Sequence, residues 1–303
     1  MAEGLARRGH TLHFATPNSL SWRSTRVTAA VRASPLDLSG GPAAALLESP
    51  SPLSLTDFTA IHIRRNPPFD VPYVEMTWLL ESVSGRVHLF NHPAGLRALN
   101  EKLSILMFPE LCVESFVSCD PDDLLAFIVE RAHGDGIVKP LEQHGGEGVR
   151  RLLVKDALSA EAARAALDVE TYAGQRSRMV QPFDASVYDG QVRAFTVGGE
   201  PLAWCLKQPS EGQFLANTRA GAVILRHAPT TTEEHVVRRA AQALLRLGIS
   251  FAAFDLLSES ISEINLTSPR LLVPPTDPRD YYGEIAEWIE STCAGAPGGV
   301  SGG

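Results

Sequence analysis

Lysine is the scarcest charged residue of this chain. Only Lys102, Lys139, Lys155 and Lys207 stand among 27 basic residues, so arginine is the default cation. A lysine that persists marks a place for a compact point charge, such as one serving a phosphate. Cysteine is rare as well: Cys112, Cys119, Cys205 and Cys293 show no C-x-x-C spacing, which argues against a thiol metal site or a disulfide framework. The nine histidines form no H-E-x-x-H or other zinc spacing, and no zinc is expected. No apolar run approaches the roughly twenty residues that cross a bilayer, and the N-terminus lacks the basic-then-apolar order of a secretion signal. These absences predict a soluble protein of the reducing cytoplasm with no membrane partner. At a formal net charge of −8 there is no basic excess to meet a phosphate backbone, so nucleic acid is not an expected partner. Missing too are G-x-x-x-x-G-K-[ST] and G-x-G-x-x-G, which removes the P-loop and dinucleotide-fold readings; the G-x-S-x-G string at Gly299–Gly303 lies in the Gly/Ala-rich tail and not on the strand-to-helix turn of a nucleophile elbow, which removes the esterase reading.

What is present is an ordinary globular composition, 44% hydrophobic and 20% charged over 303 residues, enough for one large domain or two to three subdomains. The chain opens with a helix closed by Arg7-Arg8-Gly9, then a short alternating strand from Thr11 to Ala15. An α/β unit normally opens with a strand, so the chain is expected to start one strand late. Residues 16–57, rich in Ser, Pro and Ala, predict a strand or two among loops. From Ala60 the order is strand, Pro67-Pro68 break, helix (about 72–83), strand (87–90) and helix (about 94–107), a βαβα pattern that implies a parallel sheet. Strands and helices follow to Phe183, after which the pattern turns antiparallel. There Val192–Val197 and Leu202–Lys207 flank Gly198-Gly199-Glu200-Pro201 as a hairpin. A polar loop from Ser210 to Ala222, a helix (about 232–247), a second hairpin and a last helix ending near Glu290 complete the fold, with a disordered Gly/Ala-rich tail.

Two stretches can carry chemistry. In the second hairpin, Phe251–Leu257 and Ile261–Thr267 are β-prone around a Ser258-Glu259-Ser260 break. Pairing centred on Glu259 puts Asp255 across from Glu263, with Asn265 on the same face. Facing carboxylates destabilise a sheet unless something offsets them, and an Asp/Glu/Asn oxygen set is what Mg²⁺ takes alongside phosphates; a solvated edge with scattered acids is the other reading. Lys139 ends a short apolar strand and is followed by His144-Gly145-Gly146-Glu147-Gly148, whose glycines let backbone N–H groups close on an anion. The same string also reads as a plain turn between strands.

Taken together these features resemble the ATP-grasp ligases and, more closely, bacterial glutathione synthetase. The resemblance runs over about residues 1–270 through Ile63-Arg-Arg-Asn-Pro-Pro-Phe-Asp70, Asn91-His-Pro93, Asn100-Glu101-Lys102, Val138-Lys139-Pro140-Leu141 with Gly145-Gly146, Gly199-Glu200-Pro201 and Glu263-Ile-Asn-Leu-Thr-Ser-Pro269. It implies an α/β and α+β architecture: an N-terminal parallel α/β pre-ATP-grasp domain over 1–101 lacking its first strand, and an ATP-grasp domain over 102–292. The latter divides into a nucleotide subdomain at about 109–180 and a metal and lid subdomain at about 181–292, with the tail at 293–303. By resemblance Lys102 and Lys139 contact ATP phosphates, Gly145 and Gly146 form the mobile phosphate loop, and Gln181 lies beside adenine. Asp255, Glu263 and Asn265 match the metal ligands for Mg²⁺ or Mn²⁺, and Arg193 a residue that steadies a transferring phosphate or a bound carboxylate. Arg64, Arg65, Asn217 and Ser268 are candidates for holding peptide substrate or product.

The implied activity follows from charge. A carboxylate is a poor acceptor of an amine, so it is first phosphorylated by ATP and the acyl phosphate then reacts. The acid is the C-terminal carboxylate of γ-glutamylcysteine and the amine glycine, giving glutathione, ADP and phosphate in a cytoplasmic homo-oligomer. Another acid–amine pair is the alternative within the same mechanism; a non-catalytic nucleotide-binding module would predict loss of the lysines or of the acidic set, all of which are present. Two stretches depart from the family pattern: Phe214-Leu215-Ala216-Asn217 lacks the arginine usual before the asparagine pair, with Ala222 for glycine, and the chain diverges after Pro269.

Overall fold

The protein is described by a computed structural model covering residues 1–23, 28–37, 45–46 and 50–297. Helix α1 (Ala2–Arg7) ends before Gly9, whose φ of +88° is the left-handed conformation that closes a helix. Four strands follow: β1 (His13–Arg23), β2 (Thr28–Asp37), β3 (Ala45–Leu46) and β4 (Ser51–Ser54). They form one antiparallel sheet in the order β1-β2-β3, with β4 also on β2. The stretch expected to hold a strand or two among loops is thus mostly sheet. Its weak periodicity hid this because strand formation depends on the neighbour it pairs with more than on intrinsic preference. Residues 24–27, 38–44 and 47–49 of that stretch, and 298–303 of the tail, lie outside the described residues.

The expected parallel pair is present, β5 (Ala60–His62) beside β6 (His88–Phe90), joined by α2 (Val71–Glu81). The Pro-Pro-Phe-Asp motif starts that helix: Asp70 caps it by accepting from the Tyr73 amide at 2.8 Å, and Pro72 sits in the first turn. The single helix predicted over 94–107 is two pieces, α3 (Pro93–Ala98) and a 3₁₀ turn over Leu103–Met107. Asn100 makes the break, its side-chain oxygen accepting from the amides of Lys102 (2.9 Å) and Leu103 (3.1 Å). That interruption buries Glu101 and Lys102 instead of leaving them on a helix surface.

A four-stranded sheet comes next, built from β7 (Phe116–Ser118), β8 (Asp135–Pro140), β9 (Arg150–Leu153) and β10 (Arg178–Pro182), with α4 (Pro121–Glu130) and α5 (Ala157–Glu170) between them. Its order is β7-β10-β8-β9 and every pair is antiparallel. The antiparallel region therefore begins well before residue 183. A strand-helix-strand order suggests a parallel sheet, but here β10 inserts between β7 and β8, which share a direction without pairing. Leu124 and Ile128 of α4 and Leu167 of α5 close one face against Val138 and Val180.

The largest sheet is antiparallel, in the order β13-β12-β11-β14-β15. It comprises β11 (Gln191–Val197), β12 (Glu200–Gln208), β13 (Val223–Arg226), β14 (Phe251–Leu257) and β15 (Ser260–Asn265), with α6 (Thr231–Arg246) before β14 and α7 (Tyr281–Cys293) last. Gly198 and Gly199 turn β11 into β12 at φ +58° and +81°, the positive values a two-residue type I′ hairpin needs. Alternation along the strands sorts the faces. Ala252, Phe254 and Leu256 join the core cluster that contains Val237 and Leu244 of α6, while Phe195, Phe251 and Ala253 pack with Ile285 and Ile289 of α7. The α7 face stays apolar at one end only: further along, the same face carries Arg193, Lys207, Asp255 and Glu263.

Asn91 joins the N-terminal unit to this sheet. Its amide donates to the carbonyls of Phe251 (2.7 Å) and Leu266 (2.8 Å) and accepts from the Phe251 amide (2.7 Å), all buried. Asn91→Ala would leave three buried backbone groups unpaired, at about 1 to 3 kcal/mol each before relaxation; a loss of about 3 kcal/mol is expected in urea denaturation monitored by circular dichroism.

Candidate active site

Between the four-stranded and five-stranded sheets lies a cleft of about 250 Å³, floored by β14 and β15 and roofed by the loops after β8 and β12. The acidic hairpin sits in it as expected: Asp255 pairs directly with Glu263, and Asn265 with Ala253. The turn is nonetheless shorter than the three-residue break read from sequence. Ser258 and Glu259 alone form it, both at positive φ, and a bulge beside Asp255 restores the register. Asp255 and Glu263 therefore share one face, turned toward the cleft.

Asp255 is buried, and its carboxylate is surrounded by donors. Lys207 Nζ lies 2.7 Å and Arg193 Nη1 3.1 Å from Oδ1; Arg193 Nη1 lies 3.0 Å and Asn265 Nδ2 3.2 Å from Oδ2. Burial alone would raise its pKa, but Arg193 and Lys207 outweigh burial and hold it below the ordinary carboxylate range. Burial lowers the Lys207 pKa, opposed by Asp255 and reinforced by Arg193. Glu263 is the more open of the two acids, with Lys102 Nζ 3.7 Å from Oε1. Lys102 also donates to the Gln143 carbonyl.

Lys139 extends from β8 and donates to Gln181 Oε1 at 2.5 Å, while the Gln181 amide nitrogen donates to Ser115 Oγ (2.9 Å) and the Ser262 carbonyl (3.2 Å). The Gln181 amide is thereby locked on three sides and sets the position of the lysine. Burial lowers the Lys139 pKa, opposed by Glu263 and reinforced by Lys102. Its ammonium has no carboxylate within ion-pair distance among the described residues. Such a cation is poised for an incoming anion.

Gly145 and Gly146 form the glycine loop at φ +64° and +81°, conformations an L side chain adopts only under strain. Asn217, from the loop after β12, donates to the Gly145 carbonyl, and Phe214 of the same loop stacks edge-on against Phe183 at 6.3 Å. The two loops thus meet over the cleft. Asn217 and Ser268 line it; Arg64 and Arg65 do not. Arg64 instead donates to the Pro269 carbonyl (2.8 Å) and borders a second cavity with Arg270. Arg65 is tied to Asp70 (3.2 Å) over the Tyr73 ring.

Two residues of the site are given no role by the sequence. Lys207 belongs to no motif, and its signal in the sequence is only that lysine is scarce: three of the four lysines gather here, Lys155 being the exception. Glu101 neighbours Lys102, but its role needs the fold. One carboxylate oxygen accepts from the amides of Leu266 and Thr267 (both 2.9 Å) and from Thr267 Oγ1 (2.7 Å), which pins the segment after β15.

Six cations, Lys102, Lys139, Arg193, Lys207, Arg219 and Arg270, face four carboxylates, Glu101, Asp184, Asp255 and Glu263, in and beside the cleft. The chain as a whole is at −8, so this positive pocket in an acidic protein selects a polyanion. Among the described residues no three His, Cys, Asp or Glu side chains gather as a metal site. Two carboxylates and the Asn265 amide oxygen nevertheless fit a hard divalent cation that completes its shell with water and phosphate oxygens.

Comparisons with known proteins agree with this geometry. The family model for the prokaryotic glutathione synthetase ATP-grasp domain matches residues 101–273, and that for the N-terminal domain of the same enzymes matches residues 1–97. A glutathione synthetase of Bordetella pertussis is 32% identical over 289 residues, 91% of this chain and 87% of that protein. One of Vibrio parahaemolyticus is 30% identical over 266 residues, 87% and 82%. In structure, a RimK domain ATP-grasp protein from Sphaerobacter thermophilus superposes with a TM-score of 0.56 at 20% identity, covering 94% of this chain and 92% of that one, which establishes the ATP-grasp fold. The chain belongs to the prokaryotic glutathione synthetase family.

Proposed function

We propose that this protein is an ATP-dependent carboxylate–amine ligase that joins glycine to the C-terminal carboxylate of γ-glutamylcysteine, giving glutathione, ADP and phosphate. The observation that carries the reading is the convergence of three scarce lysines, Arg193 and a paired-carboxylate hairpin in one net-positive cleft. A non-catalytic nucleotide module has no need of the acidic pair, whose facing carboxylates cost stability in a sheet and take up Lys102, Arg193 and Lys207 to offset it.

In this reading Lys102 and Lys139 receive the triphosphate, with the Gln181 amide fixing Lys139 beside the adenine. Gly145 and Gly146 offer backbone N–H groups to phosphate oxygens. Asp255, Glu263 and Asn265 would hold Mg²⁺, or Mn²⁺ in its place, and the bound cation would offset phosphate charge. Arg193 steadies the phosphoryl group in transfer. An oxygen of the substrate carboxylate attacks the γ-phosphorus and ADP leaves. The glycine amine then attacks the acyl carbon, phosphate departs with the bonding pair, and the amine proton passes to solvent or phosphate. The meeting of the glycine loop with the Asn217 loop supports a roof that keeps water from the acyl phosphate. That Asn217 and Ser268 line the cleft supports a role for them in holding the peptide; Arg64 and Arg65 would act on it only from behind, through Pro269 and Asp70.

We place the enzyme in the cytoplasm as a homo-oligomer. Free Cys112, Cys119, Cys205 and Cys293 support a reducing compartment, and the exposed Phe14 and Trp22 on β1 support a surface that another subunit covers.

Glu263→Gln keeps the shape of the hairpin and removes one ligand charge. Divalent-metal-dependent ADP release should fall by about a hundredfold or more with an unchanged thermal melt; wild-type turnover would count against the site. Lys139→Met should lower kcat/KM for ATP to a similar degree, measured by the same assay with γ-glutamylcysteine and a panel of amines. Glycine-selective release in the wild type supports the substrate assignment, and release with a different amine only would overturn it.

A further inference from the structure

Asp255 has no vacancy. An ionised carboxylate offers about four acceptor sites, and here Lys207, Arg193 and Asn265 make four contacts with its two oxygens at 2.7 to 3.2 Å. Its partner acid, Glu263, faces Lys102 at 3.7 Å. The two carboxylates on which a divalent cation depends are therefore already neutralised by the protein's own cations.

Resting on the ligase reading, we propose that Lys207 gates this site, so that a divalent cation is admitted only with or after the nucleotide. Removing Lys207 from Asp255 without replacement would leave a buried ammonium unpaired, which is costly. A triphosphate changes that balance. It brings several negative charges to Lys102, Lys139 and Lys207 together, and a lysine on a flexible four-carbon stem can turn from carboxylate to phosphate. Asp255 Oδ1 then keeps only its contact with Arg193 and has one acceptor site open as a metal donor. A bare divalent cation arriving first meets a cleft with more cations than carboxylates, and repulsion at these distances is strong where water is scarce. Arg193 is the less mobile partner, since its Nε also donates to the Arg270 carbonyl (3.3 Å); Lys207 has Asp255 as its sole side-chain ion pair among the described residues.

Linkage makes the idea measurable from both sides, because nucleotide and metal must raise each other's affinity by the same factor. Mn²⁺ titrated into nucleotide-free protein and followed by electron paramagnetic resonance should show no stoichiometric site in the wild type. Lys207→Met should gain one, about tenfold or more tighter, that disappears again in Lys207→Met combined with Glu263→Gln. AMP-PNP should bind the wild type measurably in EDTA by calorimetry. One Mn²⁺ bound per nucleotide-free wild-type chain and lost on Glu263→Gln, or AMP-PNP binding abolished by EDTA, overturns the gate without any variant at Lys207. A folded Lys207→Met that titrates like the wild type also overturns it, leaving the ion pair merely structural. These titrations need no turnover: normal ADP release beside free Mn²⁺ binding sinks the gate alone, whereas absent ADP release with every amine sinks the ligase reading and leaves the titrations to decide the gate.

Discussion

The structure turns on a buried carboxylate that is never left alone. Asp255 occupies the middle of β14, flanked in register by Arg193 on β11 and Glu263 on β15. An isolated ionised carboxylate at that depth would cost several kcal/mol, and breaking a buried pair costs about 3 to 5. Arg193, Lys207 and Asn265 offset the cost while keeping the group charged. The arrangement stabilises the sheet and keeps that buried acid ionised.

Around that carboxylate the neighbouring segments are held by buried side chains that pair backbone groups. Asn91 ties β6 to the start of β14 and to Leu266, and Glu101 ties the 3₁₀ break to Leu266 and Thr267. Both lie in motifs shared with the family, and both explain those motifs by backbone satisfaction: segments leaving a sheet end with unpaired N–H and C=O groups, and a buried side chain that pairs them fixes their path. The stretch from Glu263 to Pro269 is thereby fastened at Leu266 and Thr267. The double-proline motif contributes a helix cap through Asp70 and anchors Arg65 there.

Much of this is legible in the residues, for identifiable reasons. The alternation of Phe251–Leu257 and Glu263–Asn265 carries strand register, so the facing of Asp255 and Glu263 can be read directly, although the two-residue turn and compensating bulge cannot: one shift cancels the other. Parallel β5 and β6 follow from a strand-helix-strand order with a proline break. That same order misleads over residues 116–182, where a third strand inserts between two that share a direction, an outcome set by long-range pairing. The Ser, Pro and Ala of residues 16–57 lack the pattern that would disclose their sheet. Asn100 splits a helix that periodicity alone would continue, because a short amide side chain competes with the helix for backbone N–H groups.

Chemical identity was thus a property of the sequence: which residues could serve phosphate, metal or amide, and the two-residue periodicity that puts Asp255, Glu263 and Asn265 on one face. Partnership was decided only in three dimensions. Lys207 meets Asp255, and Glu101 meets Thr267, across separations of 48 and 166 residues that no local pattern spans. Desolvation and charge pairing, which turn a list of ionisable groups into a positive cleft in an acidic protein, exist only where the folded chain excludes water around them.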